Sequence, residues 1–383
     1  MGKVRVAILT EIISPYRIPV FNVLAKDSRF SIEVLFLAET ESRREWRIPK
    51  EEICFPYRVL KGFIVGQGYQ QGAVFLNPGI LATLLQQNYD CLIVGGYHHP
   101  SFWIALLYAR AAGKKCLLWS ESTLKDRRSK NAIKEKFKRF LVRHASGYIV
   151  PGKAQIEYLI ALGSPPEPIW LAPNAVNSAF FTHEADRLKP EKEQIKQQLG
   201  LAGNVILYVG RLLDDKGIPE LIDAFEQVLQ SHPFANLVLV GDGPDRQKYV
   251  DRCCDRGLNR VFFAGFQDQN ILPRYYAIAD VFVFPTRSDP WGLVLNEAML
   301  AGLPAICSQL AGAAADLVNP GNNGFLYSPG DLKSLTQYIC LLLQDDELRR
   351  KMGMRSQQII SHYTPEKMAQ GFAEAILGLR QIQ

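Results

Sequence analysis

Two cations follow a strand-like run closely enough to form an anion site. The run Val205–Val209 ends at Gly210, which permits a sharp turn, and Arg211 and Lys216 then precede a helix-like stretch. Fixed positive charge, backbone N–H groups and the positive end of a helix together favour an oxyanion such as a diphosphate. An ordinary solvated loop with exposed basic residues is the alternative interpretation.

A second polar loop, after the run Val281–Phe284, carries carboxylates. Asp289 lies in this loop, and Glu297 follows eight residues later on a helix that begins around Gly292. The two acids are roughly two helical turns apart, so they can hold two parts of one elongated ligand. The N–H groups of Gly292 and Leu293 would then face an anion. The alternative is a helix-capping Asp and an exposed Glu.

A third turn, Gly241–Pro244, also follows a strand-like run. Its glycines supply the unusual backbone angles that an exit turn requires. Asp242 is then either a ligand contact or the cap of the next helix, and the pattern leaves both interpretations open.

These loops need a framework of buried strands to position them. Short apolar runs rich in Val, Ile, Leu and Phe alternate with longer amphipathic runs such as Pro219–Gln230, which is typical of parallel sheets covered by helices. Two series of strands predict an α/β chain with two Rossmann-like, doubly wound parallel-sheet domains. The predicted strands are Val4–Leu9, Ile32–Leu37, Cys91–Val94, Lys115–Trp119, Tyr148–Val150, Val205–Val209, Leu237–Val240, Val261–Ala264, Val281–Phe284 and Ala305–Cys307.

The domain boundary is predicted near residue 178. The prolines of Pro165–Pro168 and the polar, charged stretch His183–Lys196 are interpreted as a linker region. The chain of 383 residues then divides into domains at 1–177 and 178–365, with a final helix at 366–383 that packs back on the first domain.

The motifs resemble the carboxy-terminal half of glycosyltransferase family 4. They are G-R-L-L-D-D-K-G from Gly210, G-D-G-P from Gly241, and D-P-W-G-L-V-L-N-E-A-M-L-A-G-L-P from Asp289. The resemblance is strong over about residues 200 to 365 and weak in the first half. The family consists of retaining enzymes with the GT-B fold, in which two Rossmann-like domains face each other across a cleft, and this is the expected fold.

The resemblance implies roles for the donor-side residues. Arg211 and Lys216 match the basic pair that binds the donor diphosphate, and Glu297 matches the glutamate that holds the nucleotide ribose. Asp289 stands where the family has a first glutamate near the donor sugar, so the carboxylate is kept with a shorter reach. The family's G-G-x-x-E element appears as Ala311–Asp316, a second departure. The expected catalytic residues are Arg211, Lys216 and Asp289, and the expected donor-binding residues are Gly210, Gly292, Leu293, Glu297 and Asp242.

The first half departs further from the family. Ser14 and Arg17 lie just beyond the first strand, in an S-P-Y-R-I-P sequence that a subset of the family resembles. Glu121 stands near the place where family members often have a histidine. It is a candidate for acceptor binding or proton handling, and a helix cap is the alternative.

Tyr97 and His98 complete the residues expected on the acceptor side. They follow the strand Cys91–Val94 and are expected to line the cleft. The adjacent pair His98 and His99 does not predict a metal site, because no carboxylate or cysteine is suitably spaced nearby. The chain also lacks a D-x-D motif, which in another glycosyltransferase class holds a divalent ion on the diphosphate. Metal-independent transfer without a cofactor is therefore expected.

Charge is unevenly distributed along the chain. Residues 1–177 hold 24 basic and 14 acidic residues, whereas the remainder holds 20 and 24. Within residues 123–145, nine residues are basic and two are acidic, and Lys130–Arg143 reads as an amphipathic helix. Such a helix is able to lie on an anionic membrane surface. The alternative is a core-packed helix with a solvated face, and no motif supports nucleic-acid binding. The expected membrane patch is Lys130, Lys134, Lys138 and Arg139, beside the apolar stripe Ile133, Phe137, Phe140 and Leu141.

The seven cysteines are odd in number and lack C-x-x-C spacing, which favours reduced thiols. No apolar run approaches the ~18 residues of a transmembrane helix, and no secretory signal opens the sequence. A cytoplasmic protein, peripheral at the inner face of the cell membrane, is expected.

The resemblance predicts a retaining hexosyltransferase. It would move a hexosyl group from a UDP- or GDP-sugar to a hydroxyl of a lipid-linked or polysaccharide glycan precursor, with the departing phosphate as base. Two alternatives remain open at this stage: a sugar-nucleotide 2-epimerase of similar fold, and a catalytically silent nucleotide-sugar-binding protein.

Overall fold

The computed structural model describes residues 2–41, 44, 46–66, 73–125 and 132–381, and the chain divides into two compact units. The first unit runs to Leu124, continues to Ala175 and takes in the end of the chain from Thr364. The second runs from Val176 to Tyr363. This division lies close to the boundary predicted near residue 178.

Strands and helices alternate in both units. The strands, in chain order, are β1 Val4–Thr10, β2 Phe30–Phe36, β3 Tyr57–Val59, β4 Phe63–Val65, β5 Val74–Leu76, β6 Cys91–Val94, β7 Lys115–Trp119, β8 Gly147–Val150, β9 Ile169–Leu171, β10 Val205–Val209, β11 Asn236–Val240, β12 Val261–Gly265, β13 Val281–Phe284, β14 Ala305–Ser308 and β15 Gly324–Tyr327.

The helices, in chain order, are α1 Ile18–Ala25, α2 Ile80–Gln87, α3 Pro100–Ala111, α4 Ala132–His144, α5 Lys153–Leu162, α6 Ser178–Leu188, α7 Lys192–Gln198, α8 Ile218–Ser231, α9 Arg246–Asp255, α10 Leu272–Ile278, α11 Leu293–Leu300, α12 Ala314–Leu317, α13 Leu332–Gln344, α14 Asp346–Ile360 and α15 Pro365–Gln381. Three further segments, Lys50–Glu52, Lys189–Glu191 and Asp214–Lys216, form 3₁₀ turns.

The first unit is built on a parallel sheet with the strand order β3-β2-β1-β6-β7-β8-β9. Its central strands are apolar on both faces because helices cover both. Along β1, Val6 and Ile8 pack with α1 and α15, whereas Ala7 and Leu9 pack with α2 to α5. The strands β4 and β5 form a separate antiparallel hairpin.

The second unit repeats this plan with the parallel order β12-β11-β10-β13-β14-β15. The direction in which successive strands are added reverses between β10 and β13. In open parallel sheets, ligands bind outside the carboxyl ends of the strands at such a reversal point. The loops that leave β10 and β13 are those that carry Arg211, Lys216 and Asp289.

The interpretation of His183–Lys196 as part of a linker is wrong. It folds into α6, a 3₁₀ turn and α7 within the second unit. Phe181, Leu188 and Ile195 recur every seven residues and are buried, and α6 and α7 pack against α10. The charged residues between them lie mostly on the outer face, which explains why composition suggested a linker.

Arg17 at the start of α1 holds α15 and the first sheet together. Its guanidinium donates to Asn174 Oδ1 at 2.9 Å, pairs with the Glu121 carboxylate, and lies 4.9 Å from the centre of the Trp119 ring. Met368 Sδ of α15 is 3.4 Å from the same guanidinium. The Arg17 side chain is only 12% exposed. It is therefore a partly buried cation whose neighbours come from β7, the segment after β9, and α15.

We expect Arg17→Ala to lower the free energy of unfolding by about 3 kcal/mol, because it removes the ion-pair partner of Glu121 and a hydrogen bond to Asn174. Urea denaturation followed by circular dichroism measures this. Arg29→Ala is the matched control, since Arg29 forms an ion pair with Asp27 while remaining 55% exposed. The control should change stability by less than about 1 kcal/mol. Equal losses in both variants would contradict a structural role specific to Arg17.

Candidate active site

An ion pair joins the loops that leave β10 and β13. Lys216 Nζ donates to Asp289 Oδ2 at 3.0 Å and to the Ser288 carbonyl at 2.6 Å. The Lys216 residue is only 6% exposed. The sequence places these two residues seventy-three positions apart, and the reversal of strand order brings them together.

The backbone around Lys216 is shaped by this packing. Gly217 has a φ of 74°, and a Cβ there would lie 2.1 Å from the Pro285 carbonyl oxygen, so only glycine lets α8 begin this close to the end of β13. The Arg287 N–H also donates to the Asp215 carbonyl at 2.8 Å. The two loops are thus linked by backbone bonds as well as by the ion pair.

The glycine turns after β10 and β11 continue the sheet beyond its strands. The Gly210 N–H donates to Val240 O, and the Leu212 N–H donates to Asp242 O, each at 2.9 Å. Gly241 has a φ of 135°, and a Cβ there would lie 1.9 Å from Gly210 O. Gly210 and Gly241 therefore allow the two turns to run in contact.

Arg211 lies between Gly210 and Leu212, whose N–H groups bond to the end of β11 and to the turn after it, and a buried tyrosine supports its backbone. The Tyr208 hydroxyl donates to the Arg211 carbonyl at 2.9 Å. Burial, reinforced by the nearby Asp289 and Asp215 carboxylates, raises the pKa of Tyr208 well above its ordinary value, so this hydroxyl remains a donor at any physiological pH. Within the described residues, the Arg211 guanidinium itself makes no hydrogen bond or ion pair.

Glu297 is fully buried on α11, so an exposed Glu is excluded. Its Oε2 accepts from the Tyr276 hydroxyl of α10 at 2.7 Å. Gly292 precedes α11 with a φ of 96°, and Leu293 is the first residue of the helix. The carboxylate is held inside the protein near the helix that carries it, rather than pointing into bulk water.

Asp289 belongs to a second pair of crossing loops. Its Oδ1 accepts from the Trp291 N–H at 3.1 Å, while its carbonyl accepts from the Gly312 N–H at 2.9 Å. The Ala313 N–H donates to Trp291 O at 3.2 Å. The segment that replaces the G-G-x-x-E element therefore lies directly beside Asp289.

The helix-cap alternative for Asp242 does not hold. Helix α9 begins at Arg246, and the residue that precedes it is Asp245. Asp242 Oδ1 accepts only from the neighbouring Gly243 N–H, at 2.7 Å, among the hydrogen bonds of the described residues. Asp245 Oδ2 instead accepts from the Asp214 N–H at 3.0 Å.

On the first sheet, the loops after β1 and β6 also meet. His99 is buried between the Phe75 and Phe102 rings, and its Nδ1 accepts from the Phe75 N–H at 3.2 Å. Its Nε2 lies 3.1 Å from Glu11 Oε1. This pairing with a carboxylate after β1 had no signal in the sequence. His98 contacts the Tyr97 ring, with the ring centres 4.8 Å apart.

Ser14, Arg17 and Glu121 were expected to line the acceptor site, but the structure shows them bonded within the first unit. The Ser14 carbonyl accepts from the Arg17 N–H at 2.9 Å, and the Arg17 guanidinium is held by Glu121 and Asn174. No helix begins after Glu121 before position 132 in the described part of the chain, so the helix-cap alternative for Glu121 is wrong. Burial raises the pKa of Tyr97 well above its ordinary value.

Helix α4, which contains most of the predicted basic stretch, packs differently from what its amphipathic pattern predicted. Phe137 packs edge-on against Trp103 of α3, with ring centres 4.7 Å apart, and Leu141 is buried. Lys138 turns inward, where its ammonium bonds to Glu135 at 2.7 Å and to the Tyr158 hydroxyl at 3.3 Å. Lys138 is therefore not the outward-facing cation that the pattern predicted.

The remaining members of the expected membrane patch stand as follows. Arg139 is exposed. Lys130 and the side chain of Lys134 lie outside the described residues. No helix in the described part of the chain is long and apolar enough to cross a membrane. The described residues also contain no group of three or more His, Cys, Asp or Glu side chains arranged to hold a metal ion.

Family and sequence comparisons show what the chain is similar to. Residues 191–359 match the family model described as glycosyl transferases group 1. The chain is 30% identical over 230 residues to the sulfoquinovosyl transferase SQD2 of Arabidopsis thaliana, covering 59% of this chain and 43% of that protein. It is 27% identical to the N-acetyl-alpha-D-glucosaminyl L-malate synthase of Bacillus anthracis, covering 49% of each. The chain thus spans less than half the length of these two curated relatives.

Solved structures resemble the whole chain. HepE of Anabaena in complex with UDP matches with a TM-score of 0.77 and 24% identity, over 98% of this chain and 100% of that one. Sucrose-phosphate synthase from Thermosynechococcus elongatus matches with a TM-score of 0.77 and 20% identity, over 100% of both. These likenesses show that the chain has the GT-B fold. The match over residues 191–359 supports a glycosyltransferase.

Proposed function

We propose that the protein is a retaining hexosyltransferase that uses a nucleoside-diphosphate sugar. The observation that carries this proposal is the pairing of Lys216 with Asp289 at the strand-order reversal of the second sheet. The loop that carries Lys216 also carries Arg211, whose guanidinium is unpaired within the described chain. A cation and a carboxylate in contact suit the two groups joined by the bond to be broken, which links the donor sugar to its diphosphate. The cation suits the diphosphate, and the carboxylate suits the hydroxyls of the sugar.

Arg211 and Lys216 would bind the diphosphate and stabilise the charge that develops as it departs. Lys216 is fixed before the reaction by Asp289, and the backbone that carries Arg211 is held by Tyr208. Preorganised charge of this kind favours the transition state over the ground state. The N–H groups at the start of α11, at Leu293, would add the positive end of a helix.

Asp289 and Glu297 would divide the rest of the donor between them. Asp289 is anchored on one side by Lys216 and on the other by the Trp291 N–H, so its shorter side chain presents a fixed carboxylate to the sugar. Glu297 is fixed by Tyr276 and would accept from the ribose hydroxyls. Gly210, Gly241 and Asp242 form the adjoining ladder of turns where the nucleotide would approach the backbone.

The chemical step that we propose retains configuration at the sugar. The bond from sugar C1 to the diphosphate oxygen breaks, the acceptor hydroxyl oxygen bonds to C1 on the same face, and its proton moves to the departing phosphate. The acceptor would be a lipid-linked or polysaccharide glycan held at the carboxyl ends of the first sheet. Tyr97, His98 and the Glu11–His99 pair lie at those strand ends.

Among the possible donor nucleotides, UDP is the first to test. HepE of Anabaena, which shares the fold, was solved in complex with UDP and in complex with UDP-glucose. We place the reaction in the cytoplasm, where nucleotide sugars are available and thiols remain reduced. All seven cysteines are free in the structure, which is compatible with that compartment.

The direct test is a thermal-shift screen against UDP-, GDP-, ADP- and dTDP-sugars, followed by transfer assays with the donor that binds. We expect Lys216→Ala and Glu297→Gln each to reduce turnover by at least roughly a hundredfold, because each removes a fixed charge from the donor site. Lys351→Ala is the control, since Lys351 is an exposed lysine paired only within α14.

Three results would oppose the proposal. Near-normal turnover in either site variant, with thermal unfolding unchanged, contradicts the assigned roles. Conversion of the donor sugar without any acceptor indicates an epimerase, and tight binding without turnover on any acceptor indicates a binding protein. Nuclear magnetic resonance of the sugar-nucleotide pool distinguishes sugar transfer, epimerisation and the absence of turnover in one measurement.

We also expect transfer to proceed without a divalent cation, because Arg211 and Lys216 supply positive charge beside the proposed diphosphate position. Transfer rates measured before and after exhaustive chelation with EDTA should agree within about twofold. Loss of activity on chelation, with recovery on adding Mg²⁺ or Mn²⁺, would show that the two cations are insufficient.

Tyr208→Phe should weaken UDP binding by about fivefold, which corresponds to one hydrogen bond of about 1 kcal/mol. The reason is that the lost hydroxyl no longer holds the Arg211 carbonyl. UMP lacks the second phosphate and should bind equally to both proteins. Calorimetry with UDP and UMP measures the ratio.

The control for this test is Tyr148→Phe. Tyr148 is equally buried, and its hydroxyl donates to the Val142 carbonyl at 2.7 Å in the first unit. It should leave the affinities for UDP and UMP unchanged. A parallel loss of UMP affinity in Tyr208→Phe would show general damage to the second unit instead of a local effect on the diphosphate turn.

A further inference from the structure

The outer face of α2, α3 and α4 in the first unit combines exposed apolar and basic side chains. We call it the apolar–basic face. Its members are the apolar residues Leu81, Leu85, Ile104, Leu107 and Phe140 and the basic residues Arg110, Lys136 and Arg139. Leu85 is 62% exposed, and the other four apolar residues are exposed as well.

These side chains adjoin one another because of how α3 packs. On one side of α3, Trp103 contacts Phe137 of α4, with ring centres 4.7 Å apart. On the other side, the Tyr108 hydroxyl donates to the Leu84 carbonyl of α2 at 3.2 Å. At 3.6 residues per turn, Ile104 and Leu107 project between these two contacts, outward from the sheet. They therefore bridge the exposed residues of α2 and α4.

Exposed apolar residues scattered singly are ordinary, whereas residues grouped on adjacent helices mark an interaction surface. On α2, Leu81 and Leu85 are one turn apart, and Phe140 lies on the third helix. Phe137 and Leu141 of α4 pack into the unit itself. The apolar part of this face thus comes mainly from α2 and α3, which the amphipathic pattern of α4 did not reveal.

The charge of the face is almost entirely positive. The sequences of α2, α3 and α4 contain a single acidic residue, Glu135, and Lys138 pairs with it at 2.7 Å. In the part of the chain that the structure describes, Arg110, Lys136 and Arg139 form no ion pair. The exposed cations of the face are therefore not neutralised by neighbouring carboxylates.

We propose that the apolar–basic face docks on an anionic lipid surface. Exposed Leu, Ile and Phe side chains suit the boundary between headgroups and acyl chains, and the cations around them suit anionic headgroups. A second copy of the chain would bring like charges together across a two-fold interface. The inference rests on the proposed transfer to a lipid-linked acceptor and deepens it by naming the surface on which the acceptor is presented.

The test is sedimentation of the full chain with vesicles of phosphatidylcholine alone and of phosphatidylcholine mixed with phosphatidylglycerol. We expect binding to the mixed vesicles only. The double variant Lys136→Glu with Arg139→Glu should weaken binding at least about tenfold. Ile104→Ser with Leu107→Ser should weaken it to a similar extent, and added salt should not restore binding in either case.

Matched controls lie in the second unit. Phe234→Ser replaces an apolar side chain that is 68% exposed, and Lys189→Glu with Lys333→Glu reverses two exposed charges. Both controls should bind mixed vesicles as the unaltered chain does. Nucleotide binding by all variants, measured by thermal shift, shows that each is folded and separates this inference from the proposed donor site.

Three results would overturn the inference. They are absence of binding to mixed vesicles, equal binding by the face variants and the unaltered chain, and a concentration-dependent dimer abolished by the serine variant. Failure of sugar transfer with vesicle binding intact would instead count against the proposed function and leave the docking surface in place.

Discussion

The contact between Lys216 and Asp289 is the constraint on which the loops at the strand-order reversal of the second sheet depend. A lysine that is almost fully buried needs a carboxylate, because removing an ammonium from water without a partner is strongly unfavourable. That requirement joins the loops of two strands, and the surrounding backbone is arranged to permit it. Gly217 lets α8 begin against β13, and the Arg287 N–H bonds across the same gap. The ion pair, the course of the two loops and the start of α8 thus depend on one another.

The two sheets share a plan yet use the same topological position differently. After β10 in the second sheet, Arg211 keeps its guanidinium outside any hydrogen bond or ion pair among the described residues. After β1 in the first sheet, Arg17 is enclosed by a carboxylate, an amide and an indole ring. The same residue type therefore keeps its donors unused in one unit and satisfies them internally in the other. The difference lies in whether neighbouring elements supply acceptors that already satisfy the guanidinium.

Much of the framework could be predicted because strands buried on both faces leave continuous apolar runs. The strands β3, β9 and β15 could not, since they are edge strands whose few residues are only partly buried. The sequence also placed Lys216 and Asp289 at strand ends, but their contact depends on strand order, which spacing does not encode. The burial of Glu297 by Tyr276 and the inward turn of Lys138 depend on partners from other helices. Amphipathic periodicity identifies the apolar face of a helix without showing which charged side chains fold back onto a neighbour.

The helix α15 gives the first unit an unusual dependence on synthesis order. Met368, Phe372 and Leu379 belong to the same apolar cluster as β1 and α1, although the whole second unit lies between them in the chain. Domains generally fold as their residues leave the ribosome, amino-terminal ones first. Here one face of the earlier sheet lacks part of its cover until α15 has been made. The second unit, which ends at Tyr363, is therefore able to finish folding before the first, and a nascent chain would expose the partly covered face to chaperones until α15 emerges.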